Sequence, residues 1–128
     1  GGRGDGQSIK WIEVFEFNKD YSLVSIKKDA IANVVCADCP DYMKGILVKY
    51  HRAEPTKGFN DKAVLTSKFA SVTKYYISTK DDNAVPYALQ QQMIKSNGTV
   101  KKVFEMETSH LPFVVKPEEF LNILASIK

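Results

Sequence analysis

The chain is poor in the residues that would assign it to a specialised class. It has two cysteines and two histidines among 128 residues, too few for a disulfide-stapled mini-domain or a histidine-rich metal protein. Cys36 and Cys39 stand as Cys-Ala-Asp-Cys. Such a pair can be a redox motif or half of a zinc site. A zinc site needs about four ligands, and His51 and His110 lack zinc-finger spacing to the pair, so two ordinary thiols near a helix start is the expectation carried forward. No apolar run approaches the roughly 18 residues that span a bilayer, so no membrane contact is expected. The first seven residues, Gly1 to Gln7, have no apolar core and do not read as a signal peptide. They read as a flexible loop or a cut end. Arg3-Gly4-Asp5 within them is a tripeptide that recurs by chance in glycine-rich loops. Charge of one sign is also scarce. The net charge is +3, and Lys and Arg alternate with Asp and Glu, which excludes a nucleic-acid footprint. No phosphate-binding loop or metal cluster is visible, so no cofactor is expected. Nothing addresses the chain to a compartment, and the cytoplasm is the default.

What is present is enough apolar residue to bury a core: 44% hydrophobic against 26% charged, the balance of a folded domain. Trp11 to Phe17 alternates with period two after Ile12 and predicts a strand, and Ser22 to Ile26 predicts a second, paired through the polar turn Asn18-Lys19-Asp20. Asp29 is placed to cap a helix carrying Ile31, Val34 and Val35. Pro40 opens another, with Met43, Ile46, Leu47 and Tyr50 at helical spacing. The stretch from Glu54 to about Ser67 reads as irregular.

The pattern then changes. Val72 to Ser78 is a continuous strand signal. The loop Thr79 to Asn83 follows it, then a helix opened by Pro86 and closed by Ser96-Asn97-Gly98. Val100 to Met106 predicts the next strand, Glu107 to Pro112 a short loop, and Pro117 the start of a final amphipathic helix. Strand, loop, helix, repeated, is the rhythm of a parallel α/β sheet. The fold class is therefore α/β: two parallel strands with helices over residues 67–128, and a smaller subdomain with a hairpin and helices over residues 8–66.

Ligands of open α/β sheets bind beyond the carboxyl ends of the strands. Asp81 and Asp82 lie in one such loop and His110 in the other. A carboxylate beside an imidazole fixes its tautomer and stabilises the imidazolium formed when it takes a proton, and an imidazole titrates near pH 6.5 in its unperturbed state. Taken alone, the spacing leaves open that the aspartates are helix caps and His110 an ordinary loop residue. His51 reads as structural or exposed.

At these loops the sequence resembles α/β-hydrolases. Tyr75 to Pro86 is similar to their strand and acid loop, where the catalytic Asp precedes the helix-opening Pro by four positions. That register selects Asp82, with Asp81 as runner-up. Phe104 to Phe113 is similar to their final strand and histidine loop, and Val115 to Phe120 to the start of their last helix. Asn33-Val34-Val35-Cys36-Ala37-Asp38-Cys39-Pro40 and Ala53-Glu54-Pro55-Thr56 resemble the cap segment of the branch that holds plant methyl esterases and hydroxynitrile lyases.

The resemblance implies the C-terminal half of such a hydrolase, with Asp82 and His110 as triad acid and base and residues 8–66 as cap. Trp11, Phe15, Tyr42 and Met43, and with them Phe17 and Tyr50, are candidate pocket residues for a small ester-like substrate. One element of the pattern is missing. The family's nucleophile sits on a Gly-x-Ser-x-Gly elbow, and none of the serines before Asp82 does. The expectation is therefore a fragment or one chain of a cut enzyme, inactive alone and lacking its N-terminal half, with a bare sheet edge that favours dimers or aggregates. A lyase of the same branch is the weaker reading, since Lys116 lies six residues after His110 and does not match the extra lysine of those enzymes. A non-catalytic ligand-binding module of the same descent is the alternative of a different class.

Overall fold

The computed structural model describes residues 11–128, with side chains from residue 13 onward. The Arg3-Gly4-Asp5 motif and the Trp11 side chain lie outside the described residues. Two sheets organise the rest.

The first begins with a departure from the sequence pattern. Trp11–Val14 is a short helix, α1, and only Phe15–Phe17 (β1) is strand. Period-two alternation over so few residues does not distinguish an extended segment from one helical turn. β1 pairs antiparallel with Leu23–Ile26 (β2), from Phe15 opposite Ile26 to Phe17 opposite Val24. The turn between them is held by side chains. Asn18 Oδ1 accepts the Leu23 N–H at 2.9 Å, and Asp20 Oδ1 accepts the Ser22 hydroxyl at 2.6 Å. These local bonds accompany a left-handed backbone at Tyr21, φ 60°, uncommon for a residue other than glycine.

A third strand, Glu54–Pro55 (β3), pairs antiparallel with β2 inside the stretch expected to be irregular. The missed signal was tertiary. The Thr56 N–H donates to Ser22 O at 2.9 Å and its hydroxyl to Tyr21 O at 2.6 Å. The strand ends at Pro55, which has no N–H for a ladder. Two helices separate β2 from β3. Ile31–Cys36 (α2) has Ala30 at its N-cap, with no side-chain cap, so Asp29 does not take the capping role expected of it. Asp41–Tyr50 (α3) follows Pro40, as the fixed φ of proline favours. Lys57–Asn60 (α4) and Ser67–Ser71 (α5) are short turns of helix on the way to the second sheet.

That sheet is parallel. Lys74–Thr79 (β4) pairs with Val100–Met106 (β5), ending with Thr79 opposite Met106. The crossover is Tyr87–Asn97 (α6), closed by Gly98 at φ 69°, the left-handed position that glycine takes without strain. Pro112–Val115 (α7) and Pro117–Ser126 (α8) complete the chain. α7 starts at Pro112, where the sequence pattern predicts the end of a loop; proline's fixed φ suits the first helical position.

The buried apolar residues Val24, Ile31, Val34, Cys36, Cys39 and Met106 form a small core. They lie on β2, on α2 and its following turn, and at the carboxyl end of β5. Elsewhere large apolar side chains are open to solvent, among them Val64 at 90% and Leu121 at 61% exposure. No helix among the described residues is long and apolar enough to cross a membrane.

Candidate active site

β4 ends at Thr79 and β5 at Met106, and the polypeptide leaves both strands on the same side of the sheet because they are parallel. Two backbone bonds continue the pairing past the strand ends. The Lys80 N–H donates to Met106 O and the Asp81 N–H to Thr108 O, both at 3.0 Å. The two loops therefore leave the sheet in register, and this brings together side chains 28 residues apart.

His110 Nδ1 lies 2.8 Å from Asp82 Oδ2. The Asp82 side chain is 3% exposed and that of His110 41%, so a buried acceptor holds a ring whose far edge reaches solvent. Asp81, the runner-up, is exposed and its backbone serves the loop pairing. Of the two aspartates, Asp82 is the one whose carboxylate meets His110.

Asp82 accepts four hydrogen bonds. Oδ1 receives the Ala84 and Val85 N–H groups, each at 2.8 Å, and Oδ2 receives the Thr79 hydroxyl at 2.7 Å as well as His110. Burial by itself would raise the Asp82 carboxyl. The bonds from His110, Val85 and Thr79, with the charge of His110, outweigh it and hold the group below its ordinary 3.8. His110 moves the other way. Its bond to Asp82 raises it above 6.5, burial opposes, and the charge of Asp82 adds to the rise. With Asp82 ionised at neutral pH, Nδ1 of His110 carries the proton of that bond, and Nε2 is the ring nitrogen left for proton transfer.

A buried amide supports the acid loop. Gln90 on α6 is 1% exposed. Its Oε1 accepts the Thr79 N–H at 2.9 Å, its Nε2 donates to Thr79 O at 2.9 Å and Val85 O at 2.7 Å, and Nε2 also lies 3.1 Å from Thr79 Oγ1. In the sequence Gln90 was one polar residue in a helix and carried no signal.

The base loop is held from the other sheet's side. The Ser109 N–H donates to Asp38 Oδ2 at 2.9 Å, and the Ser109 hydroxyl lies 3.5 Å from Cys36 Sγ. Asn83 Nδ2 donates to Asn33 O at 2.9 Å. The α2 segment and its turn thus touch both loops. Cys36 and Cys39 are joined by a disulfide, which corrects the expectation of two ordinary thiols. The helix ends at Cys36, and the turn brings the Cys39 N–H back to Cys36 O at 3.2 Å, within bridging reach. No group of His, Cys, Asp and Glu among the described residues could hold a metal ion.

The pocket candidates separate. Phe15 lines an apolar cavity of about 210 Å³ with Val24, Ile26, His51 and Phe59. Tyr42 on α3 is 70% exposed and Met43 is half-buried, and neither lines that cavity. Phe17 and Tyr50 are exposed. His51 is a structural residue: its Nε2 receives the Ile26 N–H at 3.3 Å and lies 3.1 Å from Ser25 Oγ.

Comparison with known proteins places these features. No family profile matches the chain. Among curated Arabidopsis thaliana proteins, "Putative methylesterase 11, chloroplastic" is 39% identical over 62 residues, 48% of this chain and 16% of that protein. "Putative methylesterase 13, chloroplastic" is 36% identical over 78 residues, 59% of this chain and 17% of that one. The crystal structure of a methylesterase protein from Arabidopsis superposes with a TM-score of 0.78 at 21% identity, covering 88% of this chain and 51% of its own. Polyneuridine aldehyde esterase gives 0.72 at 18%, covering 88% and 46%. The chain spans about half the length of these solved structures, and its matched segments about a sixth of the curated relatives. The chain is similar in sequence to plant methylesterases, and its fold is that of part of an α/β-hydrolase.

Proposed function

We propose that this chain is the C-terminal half of a serine-type carboxylic ester hydrolase, supplying the triad acid and base while the nucleophile lies in a polypeptide segment outside it. The observation that carries the reading is the 2.8 Å contact between His110 Nδ1 and Asp82 Oδ2 beyond the carboxyl ends of two adjacent parallel strands. The likeness to methylesterases supports the reaction class. In the assembled enzyme His110 takes the proton of the serine hydroxyl through Nε2 as the serine attacks the ester carbonyl. It then returns that proton to the departing alkoxide, and Asp82 holds the ring and stabilises its charged form between the two steps. Water repeats the sequence on the acyl-enzyme and releases the acid.

Residues 8–66 act as the cap in this reading, and the cavity containing Phe15 forms part of an apolar wall for a small ester such as a methyl ester. The exposed apolar side chains and the open edges of the β4–β5 sheet are the surfaces the absent half would cover. The chain alone is inactive. The chloroplastic descriptions of the relatives weigh against the cytoplasmic expectation.

The experiment is to join the chain to an N-terminal half bearing a Gly-x-Ser-x-Gly elbow and to assay short-chain aryl and methyl esters. Turnover that His110→Ala abolishes is the expected result. Turnover that His110→Ala leaves unchanged overturns the proposal, and cyanide release from a cyanohydrin in its place would assign the lyase reaction.

A further inference from the structure

Two donors converge on one oxygen of the acid. Asp82 Oδ2 receives His110 Nδ1–H at 2.8 Å and the Thr79 hydroxyl at 2.7 Å. The other oxygen is fully engaged by the Ala84 and Val85 N–H groups. The carboxylate is therefore held through Oδ1 independently of the Thr79 hydroxyl. What that hydroxyl changes is the charge His110 meets, because its proton lies against the oxygen the imidazole uses.

The direction of the hydroxyl is not free. Thr79 Oγ1 faces two neighbours, Gln90 Nε2 at 3.1 Å and Asp82 Oδ2. The Gln90 amide is oriented by the backbone. Its oxygen must meet the Thr79 N–H, and its nitrogen must meet the Thr79 and Val85 carbonyls. Gln90 Nε2 can only donate. The hydroxyl proton is left with Asp82 as its acceptor. Gln90 and Thr79 are 1% and 6% exposed, so water does not compete for these bonds.

We propose that Thr79, oriented by Gln90, is a positioning residue that tempers the hold of Asp82 on His110: it spends part of the carboxylate's charge on its own hydroxyl, so that His110 remains a usable base near neutral pH. A general base held too firmly as imidazolium is already protonated at the operating pH and cannot accept the nucleophile's proton. The inference rests on the acid–base reading of Asp82 and His110, but it can be tested without turnover. Other ionisable groups near the pair among the described residues include Tyr76 on β4, Lys80 and Asp81 in the acid loop, Tyr87 beside them, Glu105 on β5 paired with Lys80 and Tyr87, and Asp38 on the Ser109 N–H. Substitution of Thr79 replaces none of them.

The test is an NMR pH titration of the His110 ring in the full chain, with His51 as internal control. Thr79→Val keeps the shape and removes the donor. His110 is expected to titrate at higher pH in Thr79→Val, at its original position in Thr79→Ser, and between the two in Thr79→Cys, whose S–H is a weak donor. In an Asp82→Asn background, Thr79→Val is expected to have no effect on His110. An unchanged or lowered His110 midpoint in Thr79→Val overturns the proposal, since a space-filling role leaves it unmoved and a purely orienting role lowers it. If Thr79→Val does not fold, Thr79→Cys carries the same sign test. A positive titration result with no ester turnover in the joined enzyme would remove the esterase reading and leave this one standing.

Discussion

The carboxylate of Asp38 reaches across 71 residues of sequence to accept the backbone N–H of Ser109, the residue before His110, at 2.9 Å. Ser109 is 1% exposed, so water cannot replace that acceptor. Asp38→Ala is expected to lower unfolding stability by about 1–3 kcal/mol, the usual cost of orphaning a buried donor. Asp38→Asn keeps an acceptor oxygen and should recover most of the loss. Urea denaturation reads the energies, and hydrogen exchange at the Ser109 amide reads the locality. An Asp38→Ala amide as protected as the original would show the bond to be dispensable.

Asp82→Asn separates support of the loop from support of the imidazole. The asparagine oxygen can still accept the Ala84 and Val85 N–H groups that now bond Oδ1. The amide nitrogen then faces His110 and Thr79 as a donor, so His110 loses both its acceptor and the stabilisation of its charge. The His110 titration should fall from its raised position, and its ring nitrogens should exchange tautomer in the ¹⁵N spectrum. In the joined enzyme, turnover should drop by about 10⁴-fold, the magnitude known when a triad carboxylate becomes an amide, with the fold retained by circular dichroism.

Much of this arrangement was legible from local chemistry. The crossover helix announces itself through Pro86 and Gly98, and both strands of the parallel sheet through apolar runs bounded by polar loops, so the positions of Asp82 and His110 beyond strand ends followed. The parts that stayed hidden are those in which a distant segment decides. β3 is two residues long and exists because β2 offers Leu23 and Val24 as partners. Phe15 to Phe17 is extended while the preceding turn is helical, a difference that alternation does not encode. Gln90 has the composition of a surface helix residue, and only the folded position of Thr79 makes it a buried partner of the acid loop. The cysteine pair carries no label for its bond either: a Cys-x-x-Cys spacing suits a thiol pair and a disulfide equally.

Gln90→Leu tests that buried amide. Leucine fills comparable space but leaves the Thr79 N–H, the Thr79 carbonyl and the Val85 carbonyl without their present partners. Each buried group so orphaned costs about 1–3 kcal/mol, so a loss of at least about 3 kcal/mol is expected in denaturant unfolding. The loss should be accompanied by faster exchange of the Thr79 amide. A loss below about 1 kcal/mol would mean that water enters and re-forms the bonds.

The Asp82–His110 pair predicts how stability varies with pH. Asp82 is held below 3.8, so its contribution is present above that value and is lost as pH falls through the lowered midpoint. His110 is held above 6.5, so its contribution is complete below that value and is lost as pH rises through the raised midpoint. The two windows overlap between 3.8 and 6.5. The stability difference between the original chain and His110→Ala should form a plateau in that range and decline on both sides. Because the His110 side chain is 41% exposed, solvent screening keeps the plateau modest, and added salt should lower it further. Urea midpoints from pH 3 to 9 supply the measurement. A difference that stays flat across the range would mean that the pair contributes no charge interaction, and the acid–base reading would lose its electrostatic basis.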